Sequence, residues 1–113
     1  MLYNHGGGGV AQDYAQALAM YRLAAAQNLD GAQLLLGLIY YAGYGVAQDY
    51  AEALRWLQLA AGQGLPDALL MVAYCHERGL GVAVDVAEAV RWYRRAQTAG
   101  NTRAAGELSK LGV

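Results

Sequence analysis

Hydrophobic residues recur along this chain at the three- and four-residue spacing of a helix that buries one face. We name these segments helix A, and each begins at an Asp that is followed three residues later by Gln or Glu. That spacing predicts a capping box, in which both side chains satisfy free backbone N–H groups. The starts are Asp13, Asp49 and Asp85, and the predicted ends lie near Asn28, Gly64 and Gly100. The predicted buried stripe is Tyr14, Ala17, Leu18, Tyr21, Ala24 and Ala25 in the first helix A, Tyr50, Ala53, Leu54, Leu57, Ala60 and Ala61 in the second, and Val86, Ala89, Val90, Tyr93 and Ala96 in the third.

A second segment, helix B, follows each helix A and is predicted to begin near Asp30, Pro66 and Thr102. The first two are apolar nearly all round, so we expect neighbouring helices to cover them on several sides. They end at Gly43 and Gly79. The third, over residues 102–111, mixes apolar and charged positions, which favours a terminal capping helix with one face in solvent.

This two-helix pattern repeats with a fixed period. Residues 9–15 return unchanged as residues 45–51 and in degraded form as residues 81–87, an offset of 36 each time. Residues 9–44 and 45–80 are identical at 17 of 36 positions without a gap. Because periods of this size are typical of helical solenoid units, the sequence predicts an all-α, right-handed α/α solenoid of two-helix repeats.

We therefore expect one repeat domain over residues 1–113. Its predicted units are residues 1–8 (the tail of a preceding repeat), 9–44, 45–80 and 81–113, the last including the capping helix. Because the first residues match only the end of a helix B, we expect a fragment of a longer array or a reading frame that starts within a repeat. The first helix A would then lack a neighbour, and we expect self-association through that uncapped end.

Composition narrows the class of protein. The chain is 57% hydrophobic and has a net charge of −1, which excludes an intrinsically disordered chain and predicts no nucleic-acid partner. With one cysteine it cannot form an internal disulfide. The longest uncharged apolar run, residues 34–47, is interrupted by glycines, and no basic segment begins the chain, so neither a membrane span nor a signal peptide is predicted. The compartment stays open.

Candidate chemistry is sparse. Cys75 and His76 are adjacent, but neighbours on a helix point about 100° apart, so a buried cysteine is the favoured interpretation. Two histidines and one cysteine are too few for a Cys/His metal site. The glycine run of residues 6–9 lacks the Lys-Ser/Thr of a phosphate-binding loop, which favours a turn between helices. We predict no catalytic residue, no metal and no cofactor.

One set of glycine, aromatic and alanine positions extends from the first helix B through the second repeat. It comprises Leu36, Gly37, Tyr40, Gly43, Gly45, Val46, Gln48, Asp49, Tyr50, Ala53, Trp56, Ala60, Ala61, Gly64 and Ala68. This pattern resembles the Sel-one-like repeat, a subclass of the tetratricopeptide-like solenoids, over essentially the whole chain. The resemblance implies a scaffold or adaptor that binds a protein or peptide on the concave surface formed by the A helices. Relatives include bacterial proteins, among them a cysteine-rich branch associated with penicillin binding.

The predicted binding surface follows the polar and aromatic flank of helix A. We name it the helix-A strip: Gln12, Gln16, Ala19, Gln48, Glu52, Arg55, Glu88, Arg91 and Arg95. Trp56 and Trp92 occupy one repeat position and either line a groove or pack between repeats, the second being favoured. Two alternatives stay open: a hydrolase or penicillin-binding activity as in the cysteine-rich branch, and a purely structural segment of a larger protein.

Overall fold

The computed structural model describes the backbone from residue 7 and the side chains from residue 15 to the C-terminus. This part of the chain contains no strand, and each helix packs against the next one along the chain. The molecule is elongated, with extents of 49 × 24 × 23 Å. The helices are α1 (Gly7–Ala26), α2 (Asp30–Ala42), α3 (Tyr50–Gly62), α4 (Pro66–Arg78), α5 (Val86–Thr98) and α6 (Ala104–Lys110). The predicted all-α repeat solenoid is confirmed, with α1, α3 and α5 as helix A and α2, α4 and α6 as helix B.

Helices α3 and α5 begin where the Asp pattern predicts. The Asp49 carboxylate accepts a hydrogen bond from a backbone N–H in the first turn of α3 at 3.1 Å, and Asp85 does the same in α5 at 3.0 Å. The reciprocal half of the predicted capping box is wrong. The Asp49 and Asp85 N–H groups donate instead to the carbonyls of Tyr40 and His76, at 2.9 and 2.8 Å. Because these contacts satisfy the N–H groups, the glutamates three residues later make other bonds.

Helix α1 departs from the prediction at its start. It begins at Gly7, so the predicted helix start at Asp13 and the predicted turn at Gly7–Gly9 are wrong. In α3 and α5 the start is fixed by the bond to the preceding helix B. By the repeat, the matching carbonyl for Asp13 belongs to Asn4, which lies outside the described residues.

Small residues allow the helices to approach closely, as the stripe predicts. Ala53, Ala60 and Ala61 of α3 are fully buried, as are Ala89 and Ala96 of α5. A Cβ added to Gly37 of α2 would lie 2.6 Å from Cγ of Leu57, so α2 and α3 touch where only hydrogen fits. Val86 was predicted in the stripe but is 45% exposed, and it is the first residue of α5.

Helix B is covered less fully than its apolar sequence predicts. Leu35 is 41% exposed, and Leu34, Leu38 and Met71 are half-buried, so one face of α2 and α4 remains open. The last helix B begins at Ala104 rather than Thr102. Its cap is the side chain of Asn101, which accepts hydrogen bonds from the Arg103 and Ala104 N–H groups at 2.9 and 3.2 Å. The two helical turns of α6 bury Ala104 and Leu108 and leave Ser109 and Lys110 exposed, as expected of an amphipathic helix.

Candidate functional site

The helix-A strip forms one row of surface positions on each helix A. In α1, Gln16 and Ala19 are exposed, and the side chain of Gln12 lies outside the described residues. In α3 and α5, the side chains of Arg55 and Arg91 are 59% and 65% exposed. Gln48 lies in the loop before α3, where its amide donates to the Tyr41 carbonyl at 2.8 Å and to the Tyr50 hydroxyl at 3.2 Å. The strip residues of α3 and α5 are therefore brought together in short clusters rather than spread evenly.

The α3 cluster is built on one carboxylate. Glu52 accepts from Nη2 of Arg55 at 2.6 Å and from the indole Nε1 of Trp56 at 3.1 Å. The Arg55 guanidinium lies 5.0 Å from the centre of the Trp56 ring, within the range of a cation–π contact. Three side chains on one helical turn thus hold each other in fixed positions.

The same cluster recurs one repeat later in α5. Glu88 accepts from Nε of Arg91 at 3.0 Å and from Nε1 of Trp92 at 3.0 Å. Here the cation over the ring is Arg95, whose guanidinium lies 4.3 Å from the centre of Trp92. The indole ring also lies nearly parallel to the His76 ring of α4, with 6.5 Å between ring centres. The sequence reasoning named the charged residues but missed the indole bonds that link them.

These contacts set the charge state of the strip. The hydrogen bond from Arg55 lowers the pKa of the Glu52 carboxyl, and Glu52 raises the pKa of Arg55 in return. The hydrogen bond from Arg91 likewise lowers the pKa of Glu88. Both carboxylates are therefore ionised at neutral pH, and the strip presents paired charges of both signs. Such exposed pairs contribute little to folding stability, because solvent screens the two charges.

Both tryptophan rings pack between repeats, which is the interpretation favoured from sequence. Each ring is half-buried. Trp56 packs against a cluster that includes Leu36 and Tyr40 of the first repeat. Trp92 packs against two clusters of buried residues, and each of them includes residues of α4. The polar edge of each ring donates to a glutamate of the strip, and an arginine of the strip lies over the ring.

A second surface was missed by the sequence reasoning. The open faces of α2 and α4 and the segment just before α6 border a groove of about 550 Å³, which we name the helix-B groove. The sequence did indicate such a groove, because helix B carries more apolar residues than two neighbouring helices can cover. The groove is lined by Leu34, Leu38, Leu65, Pro66, Asp67, Leu70, Met71, Gly100, Asn101, Thr102 and Arg103.

The structure offers no activated nucleophile at the one cysteine. Cys75 is fully buried, and burial raises the pKa of its thiol to about 11, so the thiolate is not formed at neutral pH. In the described residues no three His, Cys, Asp or Glu side chains cluster as metal ligands would. From residue 7 onward, no helix of the chain has the length and apolar character needed to cross a bilayer.

Comparison with known proteins shows the family to which the chain belongs. A model of the Sel1 repeat family matches residues 1–29, 31–65 and 66–101. The chain belongs to the Sel1 repeat family. The second and third matched segments each begin at a helix B. The Sel1 family model therefore starts its repeat at helix B, whereas the units expected above start before helix A. No curated protein matched the chain.

Solved Sel1 repeat structures share this fold. A Sel1 repeat protein from Oxalobacter formigenes is 42% identical, with a TM-score of 0.76 over 87% of this chain and 40% of that one. The protective antigen c5321 of uropathogenic Escherichia coli is 39% identical, with a TM-score of 0.85 over 93% of this chain and 22% of that one. Cysteine-rich protein B of Helicobacter pylori is 25% identical, with a TM-score of 0.78 over 81% of this chain and 69% of that one. This chain thus spans less than half of the first two relatives.

Membership of the Sel1 repeat family indicates a general kind of role. Sel1 repeats are a protein–protein interaction fold and typically act as non-catalytic scaffolds. The relation to a cysteine-rich protein does not extend to its cysteines, since this chain has a single one.

Proposed function

We propose that this chain is an interaction scaffold that binds a protein or peptide partner on the helix-A strip, on the concave side of the solenoid. The observation that carries the proposal is the recurrence of one exposed Glu–Arg pair, held by a Trp, at the same position of α3 and α5. Side chains already held in place lose little rotamer freedom when a partner binds. The spacing of one repeat presents two equivalent pairs to an extended partner.

The test is capture of partners from native lysate by the immobilised chain and by Arg55→Glu/Arg91→Glu. Reversal of both charges places Glu beside Glu52 and Glu88, so we expect loss of capture with helicity unchanged by circular dichroism. The matched control is Arg78→Glu/Arg103→Glu, which makes the same change in net charge at the last residue of α4 and at the residue before α6.

The two variants separate the two surfaces. Capture by the control but not by the strip variant supports the proposal. Capture by the strip variant with loss in the control contradicts it and assigns binding to the helix-B groove, which Arg103 lines.

A further inference from the structure

The junction between the first two repeats is closed by one side chain. The amide of Gln63, at the end of α3, donates to the Asn28 carbonyl at 3.0 Å and to the side-chain oxygen of Gln33 at 2.9 Å. Gln33 is 2% exposed, so these bonds satisfy a polar group inside the protein. The Gln63 side chain thus fills the space between the end of α3 and the turn after α1.

The equivalent place in the next junction is open. One repeat later, the positions of Asn28, Gln33 and Gln63 are occupied by Gly64, Leu69 and Ala99. None of these side chains can reach across, and a pocket of about 390 Å³ remains. Its lining residues are Gly64, Leu69, Arg94, Arg95, Thr98 and Ala99.

The open pocket carries positive charge at its rim. Arg94 and Arg95 are exposed, and within the described residues neither is part of an ion pair, whereas Arg91 on the same helix is paired with Glu88. No acidic residue lines the pocket. The equivalent positions of α3 are Gln58 and Leu59, which carry no charge. Leu69 adds an apolar side chain to this lining, and the Arg95 guanidinium also lies over the Trp92 ring. Two guanidinium groups beside an apolar side chain match a carboxylate on a short hydrocarbon stem.

We infer that this pocket, the Arg94–Ala99 pocket, binds a glutamate side chain of an acidic peptide segment in the protein partner. The inference rests on the proposed function and extends it, since Arg95 belongs both to the helix-A strip and to the pocket rim. The carboxylate pairs with Arg94 and Arg95, and its methylene groups pack on Leu69. A nucleic-acid partner would need basic groups along a longer path, which a chain of net charge −1 does not provide.

The test is an NMR titration of the whole chain with two short peptides that have blocked termini. One alternates Glu with Gly, and its control alternates Gln with Gly. We expect the Glu peptide to shift the backbone amides of Gly64 and Ala99 and the Nε signals of both arginines, and the Gln peptide to leave them in place. The shifts should weaken as salt is raised, because exposed charge pairs are screened. Absence of these shifts, or larger ones at the same signals with a single-stranded oligonucleotide, would overturn the inference.

Two variants place the binding in the pocket. Arg94→Gln/Arg95→Gln should weaken binding of the Glu peptide at least about tenfold, as expected for losing charge-assisted hydrogen bonds. Gly64→Asn/Ala99→Gln, the closed variant, keeps both arginines and restores two of the three side chains of the closed junction. The new Gln can donate to the carbonyl of residue 64 and occupy the pocket, as Gln63 does at Asn28, and the variant should abolish binding. This variant is compatible with the fold, because Asn28 has a φ of 67° at the equivalent position and a Cβ on Gly64 meets no atom within 4 Å. Unchanged binding by either variant contradicts the inference.

The closed variant also separates this inference from the proposed function. If it still captures the lysate partner, and Arg55→Glu/Arg91→Glu does not, the strip binds the partner and the pocket assignment is wrong. If Arg55→Glu/Arg91→Glu captures the partner and the closed variant does not, the strip is wrong and the pocket stands.

Discussion

The two places where a helix B meets the next helix A differ in chemistry while the backbone repeats. Between α2 and α3, Gly37 lets Leu57 approach, and a polar network centred on buried Gln33 ties the turn after α1 to α3. Between α4 and α5, Ala73 replaces Gly37 and Tyr93 replaces Leu57. The tyrosine ring, which is larger than the leucine side chain, thus fills the space between α4 and α5. The repeat thus determines the helix geometry, whereas the two junctions use different side chains to pack the helices and to pair their buried polar groups.

In the second junction, between α4 and α5, aromatic contacts stand in the place of the polar network of the first. Tyr93 is fully buried, and its hydroxyl donates to Glu77 of α4 at 2.6 Å, while Trp92 stacks on His76. Burial and the neighbouring carboxylate raise the pKa of Tyr93, so the hydroxyl stays protonated and keeps donating. Asn101 adds a bond to Asp67 at 3.1 Å. The second junction is therefore held by ring packing with polar bonds at its edges.

The largest effect is expected from Tyr93→Ala. Removing a fully buried ring leaves a cavity at the centre of the second junction, and we expect a loss of about 3–5 kcal/mol in unfolding free energy. Urea unfolding followed by circular dichroism measures it. A loss below about 1 kcal/mol would mean that α4 and α5 do not depend on this ring.

The next effect comes from exchanging the small residues. Gly37→Ala places a methyl group against Leu57 and should cost about 1–3 kcal/mol, although alanine favours a helix. Gly106→Ala in α6 is the matched control, because its new Cβ meets no atom within 4 Å. We expect the control to be neutral or stabilising by up to about 1 kcal/mol. Equal effects of the two changes would contradict the close approach of α2 and α3.

A smaller effect tests the polar network. Gln63→Ala leaves the buried oxygen of Gln33 without its partner, which should cost about 1–2 kcal/mol. Ala99 already occupies the equivalent position of the second junction, so Ala99→Gln serves as the control and should not destabilise. Thermal unfolding of both variants decides this, and an unchanged melting temperature for Gln63→Ala would show that water replaces the bond.

The smallest effect concerns the strip pairs and pH. The pKa of Glu52 and Glu88 is lowered in the folded chain from an ordinary value of 4.5, so their stabilisation is present above that pH and is lost as the pH falls through the lowered value. Glu52→Gln/Glu88→Gln should therefore be slightly less stable than the natural chain near pH 7 and equal to it in acid. A difference that grows on acidification would reverse the assigned sign.

Sequence periodicity predicted most of the fold for a physical reason. Helix spacing and the caps at Asp49 and Asp85 depend on local bonds, which repeat with the sequence. The missed features depend on contacts between repeats. The capping role of Glu52 was wrong because the Asp49 N–H bonds to the preceding helix B, which no local pattern encodes. Asn101 could have been found, since Asn is a preferred cap.

The candidate site was predictable only in part. Spacing along helix A placed Arg55 and Arg91 on one exposed face, as the structure has them. The indole bonds required knowing that Trp56 and Trp92 turn their polar edges to a glutamate, which depends on how the rings pack between repeats. The helix-B groove and the Arg94–Ala99 pocket depend on what the neighbouring repeat fails to fill, and such gaps follow from packing rather than period.

The central claim is that partners bind the A helices and not the B helices. The most direct measurement is site-specific photo-crosslinking, with one photoreactive residue at exposed Ala19 or Leu59 on helix A, or at exposed Leu35 on helix B. We expect the captured partner to crosslink from Ala19 and Leu59 and not from Leu35. Crosslinks from Leu35 alone would contradict it.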